Sequence, residues 1–330
     1  MGTIFRIQVF AMDEQVARLA AESAFAKAHR MDFLLSDYRQ DSELMELFRK
    51  PVGVDYPVAR EITEVLSRSL QIHRLSNGAF DVTIGQLTRE WRRAARTGRL
   101  PSERRLGKAL RSRGMECLRL RKDEGTLSFE KSGLLIDLGG IAKGYTADRM
   151  LEVLQNRGCP VAVVSAGGDL RVGAAPPGEP GWNIIVRPFG ADTEDSQAVR
   201  IMVAECGVST SGSVNQFVEI NGRRYSHIVD PRIGLGIAPG LACTVVSSSG
   251  QLSDPLATAC CVLGIDRGRS LVEAMGADVL FAVVDDAVGG SERGNVRFES
   301  SVDFPRFFGE RDEKTATDTM RREVRGVRAQ

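Results

Sequence analysis

Between residues 13 and 35 apolar side chains return at helical intervals, at Val16, Leu19, Ala20, Ala24, Ala28 and Met31, which predicts an amphipathic helix. The residues before it, from Met1 to Ile7, read as a strand. Residues 34–43 form a turn into a second helix for which Ser42 is a good N-cap, because its hydroxyl can accept a free backbone N–H of the first turn. A third amphipathic helix covers 61–76 and closes at Asn77-Gly78. From Leu118 onward the spacing favours strands, at 118–120, 126–129, 133–136, 161–165, 182–187, 198–203, 216–220 and 243–247. Helices are expected at 254–263 and 267–275, followed by a strand over 277–284.

The stretch Asp137-Leu-Gly-Gly-Ile-Ala-Lys-Gly-Tyr145 joins the strand at 133–136 to a helix whose apolar positions are Ile141, Tyr145, Leu151 and Leu154. Strand, glycine turn, helix and the strand at 161–165 read as a βαβ-like unit. The expected fold class is therefore α/β (α+β mixed), with mixed sheets flanked by helices in one domain over 1–310. A charged tail over 311–330 is expected to fray.

Composition narrows the partners. A hydrophobic share of 42% with 26% charged residues suits a globular chain able to bury a core, and a formal charge of +1 favours no charged partner. The six cysteines show no CxxC spacing, and three histidines argue against a histidine-rich zinc site. No run approaches the ~18 apolar residues of a membrane span. Residues 88–114 hold nine arginines and one lysine against two glutamates, yet Trp91 is their only aromatic and the charges fall on helical outer faces. A solvated surface is the expectation there, rather than a nucleic-acid footprint.

Several short stretches carry chemistry. Gly139 and Gly140 open the backbone of their turn to a phosphate, and Lys143 stands in a first helical turn, where a cation opposes the helix dipole and an acid would suit it. A tight turn with a surface lysine explains the same residues. Ala166-Gly-Gly-Asp169 is a second glycine pair, or a turn in which Asp169 bonds its own backbone. In Gly78-Ala-Phe-Asp-Val-Thr83, entering a strand, Phe80 can cover a flat ring and Asp81 can bond one, or Phe80 is core. His227, in Tyr225-Ser-His-Ile-Val-Asp-Pro231, can act as a general base or be structural, whereas His29 and His73 sit in helical patterns. Asp254 and Thr258 are i and i+4, neighbours on one helical face, and offer oxygens to a hard cation such as Mg²⁺. Equally, Asp254 can cap its helix with Pro255 at the first position.

In order along the chain, Met1-Gly-Thr, residues 36–43, 78–83, 137–145 and 166–169, Ser211-Gly-Ser213, residues 225–231 and 254–258 resemble the ApbE family of FAD:protein FMN transferases. Pro255 and Ile233 depart from that pattern without altering its spacing. The resemblance implies a single ApbE-like domain with a flavin and Mg²⁺ crevice. It implies Mg²⁺-dependent transfer of FMN from FAD to a threonine hydroxyl of an acceptor protein, with release of AMP. Met1, Tyr38, Ala79, Phe80, Asp81, Asp137, Lys143 and Ile228 would line the FAD site, with Lys143 facing the diphosphate. Mg²⁺ would lie on Asp254, Thr258 and the carbonyl of Gly140. His227 is the expected catalytic base, with Asp230 as its orienter. The rival expectations are an FAD pyrophosphatase and a non-catalytic flavin-binding module. The family context implies a periplasmic or inner-membrane-anchored setting. The chain starts at the first motif without a leader, so a cytoplasmic one stays open.

Overall fold

The computed structural model describes residues 2–190, 197–212, 217–220, 222–284 and 296–305. Its strands are β1 (Phe5–Val9), β2 (Tyr56–Pro57), β3 (Leu118–Arg121), β4 (Thr126–Phe129), β5 (Ala162–Ala166), β6 (Asp169–Val172) and β7 (Trp182–Val186). They continue with β8 (Val199–Val203), β9 (Gly207–Gly212), β10 (Phe217–Ile220), β11 (Arg223–Ser226), β12 (Leu241–Ser247), β13 (Asp278–Val284) and β14 (Val296–Ser300). The helices are α1 (Glu14–Leu35), α2 (Glu43–Leu47), α3 (Arg60–Leu75), α4 (Gly85–Thr97), α5 (Glu103–Arg111), α6 (Ala142–Asn156), α7 (Gly250–Leu263) and α8 (Ile265–Ala274).

A seven-stranded sheet of order β1-β5-β6-β9-β12-β13-β14 organises the molecule, and each neighbouring pair runs antiparallel. Alternate side chains serve opposite faces. On β5, Ala162 and Val164 meet α1 and α6, while Val163 meets the β7–β8 hairpin. On β13, Val279 and Phe281 join the main core with α7 and α8, while Leu280 faces the hairpin side. Because both faces are covered, β12 is buried nearly throughout.

The α+β side of the expected fold class holds, whereas the βαβ-like unit does not. Residues 133–136 form no sheet strand; Leu135 makes one parallel bridge to Ile84, and β5 pairs antiparallel with β1 and β6. Residues 79–83 are turns leading into α4, not a strand. The pattern missed β6 and β9, whose polar and glycine residues hide their central place. α1 starts from its Asp13 cap, and Ser42 caps α2 by accepting the N–H of Met45 at 3.1 Å. α3 ends as expected, with Asn77 and Gly78 both at positive φ. No helix among the described residues is long and apolar enough to cross a membrane. The tail expected over 311–330 lies outside the described residues.

Candidate functional site

The glycine turn owes its position to backbone pairing. Asp137 donates its N–H to the carbonyl of Val82 at 2.7 Å, and Gly85 donates to Leu135 at 3.0 Å, so the approach to the turn runs beside 82–85. The chain then bends at Gly139-Gly140 into α6, whose N-cap, Ile141, has no side chain able to accept a hydrogen bond. The missing acceptor comes from another helix: Asp254 Oδ2 accepts the N–H of Gly144 at 3.1 Å. The service is returned, because Asp148 of α6 accepts the N–H groups of Gly250 and Gln251 at 2.8 Å each, at the start of α7. Each helix therefore supplies the anion for the other's N-terminus. The two helices touch at Gly144 and Gly250. A Cβ at Gly144 would lie 2.1 Å from the Gly250 carbonyl oxygen.

This geometry overturns the capping alternative for Asp254. α7 begins at Gly250 after Ser249, which places Asp254 in its second turn and Pro255 inside the helix. Asp254 is 1% exposed and Asp169, at the head of β6, is 2% exposed. Between them lies the ammonium of Lys143, 3.3 Å from Asp254 and 3.1 Å from Asp169, also donating to the carbonyl of Gly139 at 2.8 Å. Burial, followed by the charge of Asp169, pushes the Asp254 carboxyl up to about 7, against the pull of Lys143 and the Gly144 N–H. Asp169 and Asp254 hold the Lys143 ammonium above its usual value despite burial. With both acids ionised, two carboxylates against one ammonium leave a net negative site, which favours a cation before any diphosphate. The lysine that opposes its own helix dipole is thus explained first by these two acids.

Thr258, one turn after Asp254, places its hydroxyl 3.3 Å from that of Ser211 on β9. A Cβ at Gly140 would lie 3.3 Å from Thr258 Oγ1 and 3.2 Å from Phe80 Cε2, so these three residues converge. No group of three or more His, Cys, Asp or Glu side chains suited to a metal occurs among the described residues. A cation here would rely on Asp254, with Asp169 close by, and on the neutral oxygens of Thr258 and Gly140. Such an all-oxygen set fits Mg²⁺.

The expected flavin residues divide into two groups. Phe80 and Ala79 are buried, and the carboxylate of Asp81 is fully enclosed. It accepts from the backbone N–H and the hydroxyl of Thr83 at 2.7 and 2.5 Å, and from Arg113 at 3.4 Å. His73, a packing residue by pattern, has Nδ1 2.9 Å from the Phe80 carbonyl oxygen. Asp81 therefore shapes the loop carrying Phe80. The second group surrounds Tyr38, which is 60% exposed. Arg92 donates to Asp37 at 2.7 Å and to Asp137 at 3.2 Å. Burial and the neighbouring Asp137 raise the Asp37 carboxyl, and Arg92 draws it back. Arg92 and Asp37 escaped the sequence reading. The one signal available was that Arg92 follows the buried Trp91 on α4, next to its apolar stripe.

His227 is an exposed residue at the bend after β11, and the adjoining Ile228 is buried in the same core as Phe80. The Asp230 carboxylate is engaged by the fork of Arg232, at 2.9 Å to Nε and 2.7 Å to Nη2. Met1 and Ser213 lie outside the described residues.

Residues 1–281 match the family model described as the ApbE family. An FAD:protein FMN transferase of Treponema pallidum (strain Nichols) is 30% identical over 310 residues, covering 88% of this chain and 84% of that protein. One from Klebsiella pneumoniae (strain 342) is 28% identical over 292 residues, covering 86% and 82% respectively. The solved flavin transferase ApbE from Vibrio cholerae aligns with a TM-score of 0.78 and 27% identity, over 92% of this chain and 95% of that one. The chain is therefore a member of the ApbE family.

Proposed function

We propose that this protein is an FAD:protein FMN transferase that moves FMN from FAD to a threonine hydroxyl of an acceptor protein. The observation that carries the reading is the convergence of Phe80, Gly140 and Thr258, which sets the Phe80 loop beside the oxygens around Asp254, Lys143 and Asp169. FAD joins its flavin and adenosine halves through a diphosphate, so a site that cuts it needs a ring surface beside a cation site. Asp254, Thr258 and the Gly140 carbonyl would hold Mg²⁺. Bound there, the ion supplies Lewis-acid neutralisation of the diphosphate oxygens.

The chain's own residues do the rest. Tyr38, Phe80 and Ile228 bound the ring site, with Ala79 and Asp81 fixing the Phe80 loop. Asp137 orients the glycine turn, since its Oδ1 accepts the Gly139 N–H at 2.8 Å. Lys143 draws the buried Asp254 carboxyl back towards its ionised form, partly offsetting burial and the charge of Asp169, and adds positive potential towards the diphosphate. An imidazole nitrogen of His227 takes the proton from the acceptor threonine as its oxygen attacks the flavin-side phosphorus. The bond to the AMP oxygen breaks, and AMP leaves.

Incubation with FAD, Mg²⁺ and a protein bearing an exposed acceptor threonine, read by mass spectrometry, tests this. Covalent FMN on the acceptor with free AMP is expected. Free FMN and AMP on an unmodified acceptor would make the protein a pyrophosphatase, and intact FAD would reduce it to a flavin-binding module.

A further inference from the structure

Arg92 lies on α4, outside every stretch that carries the family resemblance, yet its side chain turns towards the proposed flavin site. The guanidinium carbon stands 4.1 Å from the centroid of the Tyr38 ring. Nη1 donates to Asp37 Oδ2 at 2.7 Å and Nη2 to Asp137 Oδ2 at 3.2 Å. The two carboxylates retain only 13% and 10% of their side-chain exposure, against 34% for Arg92. One cation thus ties together the 36–38 turn, α4 and the approach to Gly139-Gly140. Its neighbours Arg89, Arg93 and Arg96 are exposed.

We propose that Arg92 is a positioning residue of the flavin site, fixing the Tyr38 ring and the Asp137 turn in the arrangement that accepts FAD. An exposed aromatic side chain rotates on its own bonds unless something rests against it. A stacked guanidinium removes that freedom while leaving Tyr38 60% exposed for a flat ring. Ordering the site beforehand removes a cost that binding would otherwise meet. The role needs arginine, because a planar fork reaches two carboxylates while stacking on a ring, and the point charge of lysine does not.

The proposal rests on the flavin reading above. Its test compares wild type with Arg92→Gln, Arg92→Lys, Tyr38→Leu and the Arg92→Gln/Tyr38→Leu double variant. FAD affinity is read by quenching of flavin fluorescence, and KM and kcat by covalent FMN transfer. Arg92→Gln should weaken FAD about tenfold, or ~1.4 kcal/mol. KM should rise in step, with kcat within about threefold. Arg92→Lys keeps a cation between the two acids, so its fold is protected, and it should still weaken FAD several-fold. In the Tyr38→Leu background the same Arg92→Gln change should cost about threefold or less, since the ring that Arg92 holds for the flavin is gone. Equal losses in both backgrounds, or a fall in kcat with KM unchanged, would assign Arg92 a general structural role and overturn the proposal. So would wild-type FAD affinity in Arg92→Gln. A wild-type protein that neither binds FAD nor transfers FMN overturns the functional reading as well. An active wild type indifferent to residue 92 overturns this inference alone.

Discussion

Asp254→Asn separates what the acid does for the fold from what it does for a cation. Asn keeps the shape and can still accept the Gly144 N–H, but it brings no charge. From the ordinary 3.8 to about 7 is roughly a thousandfold in proton affinity, or about 4 kcal/mol by which burial and Asp169 disfavour the ionised acid in the metal-free protein. The sign follows from proton counting. Between about pH 4 and 7 the native state binds a proton that the unfolded chain has released, so stability falls as pH rises through this window and levels off above it. Lys143 does not disturb that slope, because its raised value acts only in alkali. Metal-free wild type should therefore lose up to a few kcal/mol relative to Asp254→Asn between pH 5 and pH 8. Urea melts of both proteins in chelator at the two pH values measure the difference. Addition of Mg²⁺ at pH 8 should stabilise wild type and leave the variant unmoved, and transfer by the variant should collapse. A wild-type-minus-variant difference that stays flat with pH would refute the buried-acid argument. Undiminished turnover at limiting Mg²⁺ would refute the metal assignment.

Three further outcomes are expected. His227→Ala should lower the transfer rate by about 10²–10⁴-fold with little change in FAD binding, as for a general base; single-turnover transfer beside an FAD titration checks it, and parallel losses in both would make His227 a binding residue. Lys143→Met strands Asp169 and Asp254 against each other and should destabilise the metal-free protein by ~3–5 kcal/mol at pH 8, with Mg²⁺ restoring part of the loss; an unchanged melt would contradict the charge cluster. Gly144→Ala drives a methyl group into the backbone of Gly250, 2.1 Å away at the oxygen, so α6 and α7 must separate. It should cost at least ~1–3 kcal/mol and impair Mg²⁺-dependent turnover together with thermal stability; a fully stable, active variant would show that the helices are not held at that distance.

Local chemistry made much of the molecule readable from the chain. Alanine spacing between 13 and 35, the Ser42 cap and the Asn77-Gly78 stop depend on neighbours a few residues away, and α1, α2 and α3 stand where those signals put them. The same holds for the i, i+4 relation of Asp254 and Thr258. Sheet partners are different. Residues 133–136 have a strand's composition but meet only a turn, while the serines, threonine and glycines of β9 occupy the middle of the main sheet. Backbone hydrogen bonds ask little of the side chain, so pairing is settled by which segments packing brings together.

Long-range charge was likewise invisible. By sequence an acid at 143 would complement the helix dipole; in the folded protein it would stand as a third carboxylate beside Asp169 and Asp254. Arg92 read as one more surface arginine until folding placed Asp37, 55 positions earlier, and Asp137, 45 positions later, within reach of its fork. The sequence by itself determined the local periodicity, the caps and the residue types able to bind a flavin nucleotide and a hard cation. Tertiary structure alone decided which buried acids face which cation, because Coulomb attraction depends on distance and desolvation, and neither is written in the spacing along the chain.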